Sequence, residues 1–304
     1  MGASIYEFFG YRATDRSDTA TEYAVAHRCP FLPFSDDLCE KTLSDGALAG
    51  ACSIKPVTTA PVICCPIRLY ADDYRVLHEI ARRAFGPDTV LLHGPQARGV
   101  ALHDRRPVVA VFGQRWGGEL RLPKKSGRGS YFVDWILALV SATGELQEFV
   151  AVEVQTMDTT GNYRIGRLAL LGGRRELVPT GAGINWENVS KRIIPQLVYK
   201  GQVLQREKLC RRGLYFVCPR PVLERVLDRL GGTLPTFPDE RASITFLAYD
   251  YAPDAELTDG AILPLAVVET LPTSVEKLKE SFNNVTLEEA NVYQSAIEAA
   301  LENL

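Results

Sequence analysis

The sequence predicts an α/β protein, a mixed sheet flanked by helices, preceded by a cysteine-rich region stapled by a metal ion. Three observations carry that expectation. Residues 131–158, YFVDWILALVSATGELQEFVAVEVQTMD, contain two apolar, β-branched and aromatic runs, Tyr131–Val140 and Phe149–Val154, separated by a polar stretch with Gly144. That is the pattern of two strands joined in a core hairpin. From Asp72 onward, segments of helical and strand periodicity alternate, as in α/β folds. Residues 1–70 lack this regularity yet hold Cys29, Cys39, Cys52, Cys64 and Cys65, five of the seven cysteines. The chain is therefore expected to divide into an N-terminal metal-binding region, 1–70, and a catalytic domain, 71–304.

The composition, 46% hydrophobic and 23% charged, is that of an ordinary globular chain. No apolar run approaches the length of a membrane span, and the N-terminus lacks the apolar core of a signal peptide, so a cytoplasmic protein is expected. The net charge of −3 is unevenly spread. Residues 253–304 contain ten acids and two lysines, which leaves the earlier residues with a positive surplus. Arg121, Lys124, Lys125 and Arg128 precede the central hairpin; Arg164, Arg167, Arg174 and Arg175 follow it. Either cluster alone reads as a solvated face. Bracketing a carboxylate centre, they point to phosphate contacts.

In chain order, Ile5–Tyr11 reads as a short helix or strand, and the following text is rich in Thr, Asp, Pro and Gly. In a cytoplasmic protein clustered cysteines suggest a metal more than disulfides. A tetrahedral thiolate site would take Cys29, Cys39, Cys52 and one of the adjacent Cys64-Cys65, binding zinc or iron. Asp72–Phe85 is an amphipathic helix ended by Gly86-Pro87, and Pro107–Phe112 a buried strand. Gly117–Leu122 reads as a strand with Glu119 and Arg121 on one face. Beyond the hairpin come a turn at 158–162, a helix over Asn188–Leu204 weakened by Pro195, and a strand at Leu214–Cys218. Then follow a helix at Pro221–Leu230, strands at Ile244–Tyr251 and Ile262–Thr270, and helices at Ser274–Ser281 and Thr286–Leu304, the last with Thr286 and Glu289 as a capping box. The four histidines are scattered and read as structural or surface residues; Cys210 and Cys218 read as core.

The hairpin carries acids where apolar residues belong: Asp134 on its first strand and Glu153 on its second, with Gln155 at i+2 on the face of Glu153. Buried carboxylates are costly, and two converging from adjacent strands repel each other; a divalent cation removes both costs. Asp, then Glu-x-Gln after a turn, is the form of a metal-dependent phosphodiesterase centre of the PD-(D/E)xK class, with Gln in the usual place of Lys.

The chain resembles the NotI family of type II restriction endonucleases. The matching words are EFFGYR (Glu7–Arg12), CPFL at Cys29, CP at Cys65-Pro66 and GGEL at Gly117–Leu120. They continue with DW at Asp134-Trp135, VEVQTMD (Val152–Asp158), GNY (Gly161–Tyr163) and the helix NVSKR…Q.VYK (Asn188–Lys200). Their common order spans roughly residues 5–220; the final third differs, with an acidic helix where the family has a basic tail. The resemblance implies a PD-(D/E)xK fold and a homodimer that cleaves a palindromic double-stranded DNA site with Mg²⁺, functionally paired with a DNA methyltransferase. It further implies active-site residues Glu119, Asp134, Glu153 and Gln155, with Asp134 and Glu153 on Mg²⁺, and an iron or zinc site on Cys29, Cys39, Cys52 and Cys65. A repair or structure-directed nuclease with the same centre, or an inactive metal-stapled DNA-binding module, are the alternatives.

Overall fold

The computed structural model describes residues 2–34, 36–113, 116–118, 120, 132–253, 258–284 and 290–302. The segment of least regular sequence folds first in the chain, into a small antiparallel sheet. Its elements are β1 (Ser4–Phe8), β2 (Tyr11–Arg12), a helix α1 (Asp18–Ala26), β3 (Ala51–Lys55) and β4 (Val62–Ile63), with strand order β2-β1-β3-β4. The ambiguous stretch at Ile5–Tyr11 is thus a strand and a tight return. Helix α1 is capped by Ser17, whose Oγ accepts from the Ala20 N–H, with Asp18 in its first turn. The β1–β3 register shifts on both sides of Glu7, which pairs with Ser53. Such irregularities re-aim side chains, and Glu7 is fully buried.

The second part begins with α2 (Ala71–Phe85), β5 (Leu91–His93), α3 (Gly94–Asp104) and β6 (Val108–Gly113). The hairpin follows as β7 (Trp135–Val140) and β8 (Leu146–Val154), then β9 (Thr159–Thr160), α4 (Arg164–Leu171) and β10 (Gly183–Ile184). After these come α5 (Ile194–Leu204), β11 (Leu214–Pro219), α6 (Arg220–Arg229), β12 (Ile244–Tyr251), β13 (Leu265–Thr273), α7 (Val275–Asn283) and α8 (Val292–Glu302). Pro195 does not break the helix expected over Asn188–Leu204 but divides it. A π-helical turn, Val189–Ile193, precedes α5, and the proline falls in the first turn of α5, where its missing N–H costs nothing. Thr286 and Glu289 lie outside the described residues.

The strands form a seven-stranded mixed sheet, order β13-β12-β11-β8-β7-β6-β5. Strands β12, β11 and β8 run parallel, as do β6 and β5, while β13, β7 and their neighbours pair antiparallel. On one face Val76, Leu77 and Ile80 of α2 pack on Val109, Leu137, Val152 and Val217. On the other, Leu197 of α5, Val222 of α6 and Leu278 of α7 cover Ala151, Phe216 and Phe246, and α3 covers Ala110 and Ala138. This is the mixed sheet flanked by helices that the periodicity predicts.

The small sheet shares this core: Cys29, Phe31, Cys52, Ile63 and Cys65 belong to the apolar cluster of α2. Among the described residues no helix is long and apolar enough to cross a membrane.

Candidate active site

The site begins with a register. Trp135 of β7 pairs with Val152 of β8 in an antiparallel ladder, so one residue further Asp134 stands opposite Glu153, side chains to one face. The strand start is pinned by Trp135, buried to 2%, whose Nε1 donates to the Tyr70 hydroxyl at 3.1 Å and whose ring meets Tyr74 edge-on. Asp134 itself is exposed, and its Oδ2 accepts the Val154 backbone N–H at 2.7 Å. Glu153 is only 12% exposed; its Oε1 accepts from Nζ of Lys200 on α5, while its Oε2 is buried with no hydrogen-bond partner. Burial above all, and then the neighbouring charge of Asp134, push its carboxyl up to about 7; the Lys200 ammonium and a hydrogen bond from the Asp134 backbone oppose that shift.

Gln155 continues past the end of β8. Its backbone N–H donates to Val217 O at 2.9 Å and its Nε2 to Thr156 O at 2.7 Å, so its amide oxygen remains as an acceptor. With Asp134 it lines a cleft of about 470 Å³ that Lys41, Cys65, Tyr70 and Asp158 help enclose. Both parts of the chain therefore wall the cleft. Glu119 lies outside the described residues, as do Arg121, Lys124, Lys125 and Arg128. The approach to Glu119 is described: Gly117 has φ +83°, and a Cβ there would meet Val111 O at 1.8 Å, so only glycine lets the chain lie this close to β6.

The basic residues divide by environment. Arg164 is exposed and ion-paired with Asp45. Arg167 is buried at 8% exposure, and its Nε donates to Leu48 O at 2.8 Å. It ties α4 to the N-terminal loops and does not face a surface that a phosphate backbone would meet. Lys191, Arg192 and Lys200, which the charge pattern did not single out, line one hollow beside Phe132. Lys200 is 47 residues from Glu153; its only sequence signal was membership of the NVSKR…Q.VYK helix.

The cysteines gather at the seam of the two sheets. The Cys64 and Cys65 backbone N–H groups both reach Cys52 O, and the Cys39 N–H bonds His27 O. Burial pushes the Cys52 thiol well up, and the charges of Cys65, Glu7, Cys29 and Cys39 add to that shift. Burial likewise pushes Cys65 up to about 12. Cys64 packs apart, with Ala3 and Ile54 in a separate cluster; its thiol donates to Ala51 O and Cys52 O, as those of Cys52 and Cys39 donate to Gly50 O and Lys41 O. Among the described residues, no group of three or more His, Cys, Asp or Glu side chains is set to hold a metal ion.

With a mixed sheet, a carboxylate pair on its central hairpin and a lysine set against that pair, the molecule is of the nuclease class. Residues 14–211, roughly two thirds of the chain, match the model of the family described as restriction endonuclease NotI, and the chain belongs to that family. It is a restriction endonuclease, a hydrolase that acts on DNA. No curated protein matches the chain significantly. The match covers Asp134, Glu153, Gln155, Lys200 and the five clustered cysteines, but not β12, β13 or the helices after them.

Proposed function

We propose that the protein is a Mg²⁺-dependent type II endonuclease that hydrolyses phosphodiester bonds at one palindromic double-stranded DNA site, working as a homodimer on a PD-(D/E)xK core. The observation that supports this best is the Asp134–Glu153 pair, with Glu153 Oε2 buried and unpartnered. Leaving such an acceptor unsatisfied costs about 1–3 kcal/mol. An oxygen-seeking divalent cation shared with Asp134 relieves both that cost and the repulsion between the carboxylates, so the donor set fits Mg²⁺. Asp134 and Glu153 would hold the ion, which supplies water activation and neutralises charge on the phosphate. Gln155 offers its amide oxygen to orient the attacking water, and Glu119 completes the set that the family resemblance implies. Arg164, Lys191 and Arg192 lie on exposed surface where phosphates can reach them; Arg121, Lys124, Lys125 and Arg128 are proposed to join them. A twofold dimer presents one such site to each strand of a palindrome. A methyltransferase of the same specificity would protect the host's own sites.

The test is digestion of phage DNA by the purified protein with Mg²⁺, followed by sequencing of the ends. Discrete fragments that end at one palindromic sequence are expected, with no cleavage in chelator. A smear, or cutting that chelator leaves untouched, rules the reading out.

The N-terminal cysteines are proposed to hold one iron or zinc ion through Cys29, Cys39, Cys52 and Cys65, making 1–70 a metal-stapled region. Support comes from Cys29, Cys52 and Cys65 sharing one buried cluster while Cys64 packs in another. Elemental analysis should find about one such ion per chain; metal-free, well-folded protein would remove this part of the reading.

A further inference from the structure

We propose that Lys200 is a catalytic residue of this centre: an ammonium group delivered from α5 that contacts the scissile phosphate and supplies the positive charge that Gln155 lacks. The inference rests on reading Asp134 and Glu153 as the metal-holding pair.

Phosphodiester hydrolysis adds negative charge to a phosphate already beside two carboxylates. A preorganised cation aimed at that charge is worth far more in a water-poor site than in solvent. The strand that bears Glu153 offers only a neutral amide two residues on. Lys200 comes instead from α5, which packs on the sheet face that Glu153 shares with Ala151, and both partners are largely withdrawn from water, 17% and 12% exposed. Holding a lysine side chain in one conformation costs up to about 2 kcal/mol of rotamer entropy, so the contact is a built feature, and its placement has a cause. The neighbouring Gly201 lets α5 press against the body: a Cβ there would meet Val275 Cγ2 at 2.4 Å. Leu197 and Leu204 anchor the same helix in the core. The helix therefore has one seating, and Lys200 emerges at its margin beside Glu153.

The division of the Glu153 carboxylate is informative. Lys200 takes Oε1 and leaves Oε2 unpartnered, so an ion on Oε2 need not expel the lysine. An ammonium group has three donors, and the bond to Glu153 uses one. Lys200 also lines the hollow of Lys191, Arg192, Gln196 and Tyr199, where a phosphate backbone would find cations. In the step itself the attacking water gives up a proton to solvent as its oxygen bonds to phosphorus, the bridging P–O bond breaks, and the departing oxygen takes up a proton from solvent. Lys200 transfers no proton; it donates a hydrogen bond to a non-bridging oxygen.

The experiment uses the full chain with Lys200→Gln, which keeps an amide donor for Glu153, and Lys200→Met, which keeps the apolar stem. Whichever variant folds is read, by three measurements. Single-turnover cleavage at saturating Mg²⁺ should fall by roughly 10²–10³-fold. DNA affinity in Ca²⁺ should change by less than about tenfold, since one phosphate contact is lost. Mn²⁺ binding without DNA should tighten, because a positive charge beside Glu153 is gone. Slower chemistry with tighter metal is a combination that loss of structure does not produce. Cleavage within about threefold of wild type, or weaker metal binding together with a lowered melting temperature, overturns the assignment. Asp134→Ala serves as the control: if it still cuts, the carboxylate reading itself fails; if it is inactive while Lys200→Gln cuts normally, only the role of Lys200 fails.

Discussion

The two sheets of this molecule are held by different means. The seven-stranded sheet is covered on both faces by aliphatic side chains from α2, α3, α5, α6 and α7, so no single residue dominates its stability. The four-stranded sheet is short, and at its centre stands a polar cluster. Glu7 and Arg68 form an ion pair with both side chains at 0% exposure; Glu7 Oε2 accepts from the Tyr251 hydroxyl at 2.6 Å and from the Ser53 hydroxyl at 3.0 Å, while Arg68 lies over the Phe31 ring at 4.6 Å. Tyr251 belongs to β12, so this cluster also bolts the small sheet to the large one. A sheet stabilised by distributed apolar contact tolerates single changes. One stabilised by a few specific groups does not, and the candidate active site lies in the cleft walled by both.

The largest expected effect separates function from either mode of stabilisation. Asp134→Ala and Glu153→Gln should lower cleavage by roughly 10³-fold or more, with circular dichroism close to wild type and no fall in melting temperature. Retained cutting would show that the wrong carboxylates are named. Next comes the bolt itself. Arg68→Met leaves Glu7 buried without its cation, and breaking such a pair costs about 3–5 kcal/mol. Urea unfolding should register that loss as one lowered midpoint for the whole chain. A loss confined to the small sheet would mean that the two sheets unfold independently.

The cysteines sharpen the contrast further. Cys52→Ser should lower the metal content and melting temperature, whereas Cys64→Ser should change both little; the reverse order would make Cys64 the ligand. A pH series probes the large sheet. The carboxyl of Glu153 is raised to about 7 in the fold, so its protonated form is favoured there. The associated stability is fully present below the ordinary carboxylate range and is lost as pH rises towards 7. The difference in stability between metal-free wild type and Glu153→Gln should therefore grow over that window, and a flat difference would contradict the raised value. The same proton competes with the ion, so Mn²⁺ affinity should rise with pH up to about 7. The smallest effect tests the distributed core: Ile80→Val on α2, fully buried, should cost only about 0.5–1.5 kcal/mol with activity unchanged.

How much of this was legible in the sequence follows from the range of the interactions involved. Alternation within a strand and the 3.6-residue stripe of a helix are local, so the hairpin, α2, β6, β11 and β12 could be read from the text. So could the approach of Asp134 to Glu153, because a short antiparallel hairpin leaves few registers open. The shorter elements were not legible: α1, α4, and the β5–α3 pair are brief, and their burial depends on neighbours distant in the chain. Pro195 reads as a weakness, yet only the packed helix shows it in a tolerated first turn. Charge pattern alone grouped Arg167 with Arg164, although one is buried against Leu48 O and the other is at the surface. The doubled Cys64-Cys65 was equally ambiguous, since which thiol faces the other cysteines depends on how β3 and β4 pair. Lys200 marks the limit most clearly. Its residue type and helix are plain in the sequence, but its meeting with Glu153 depends on how close Gly201 allows α5 to approach, and that is a property of side chains packed across the sheet.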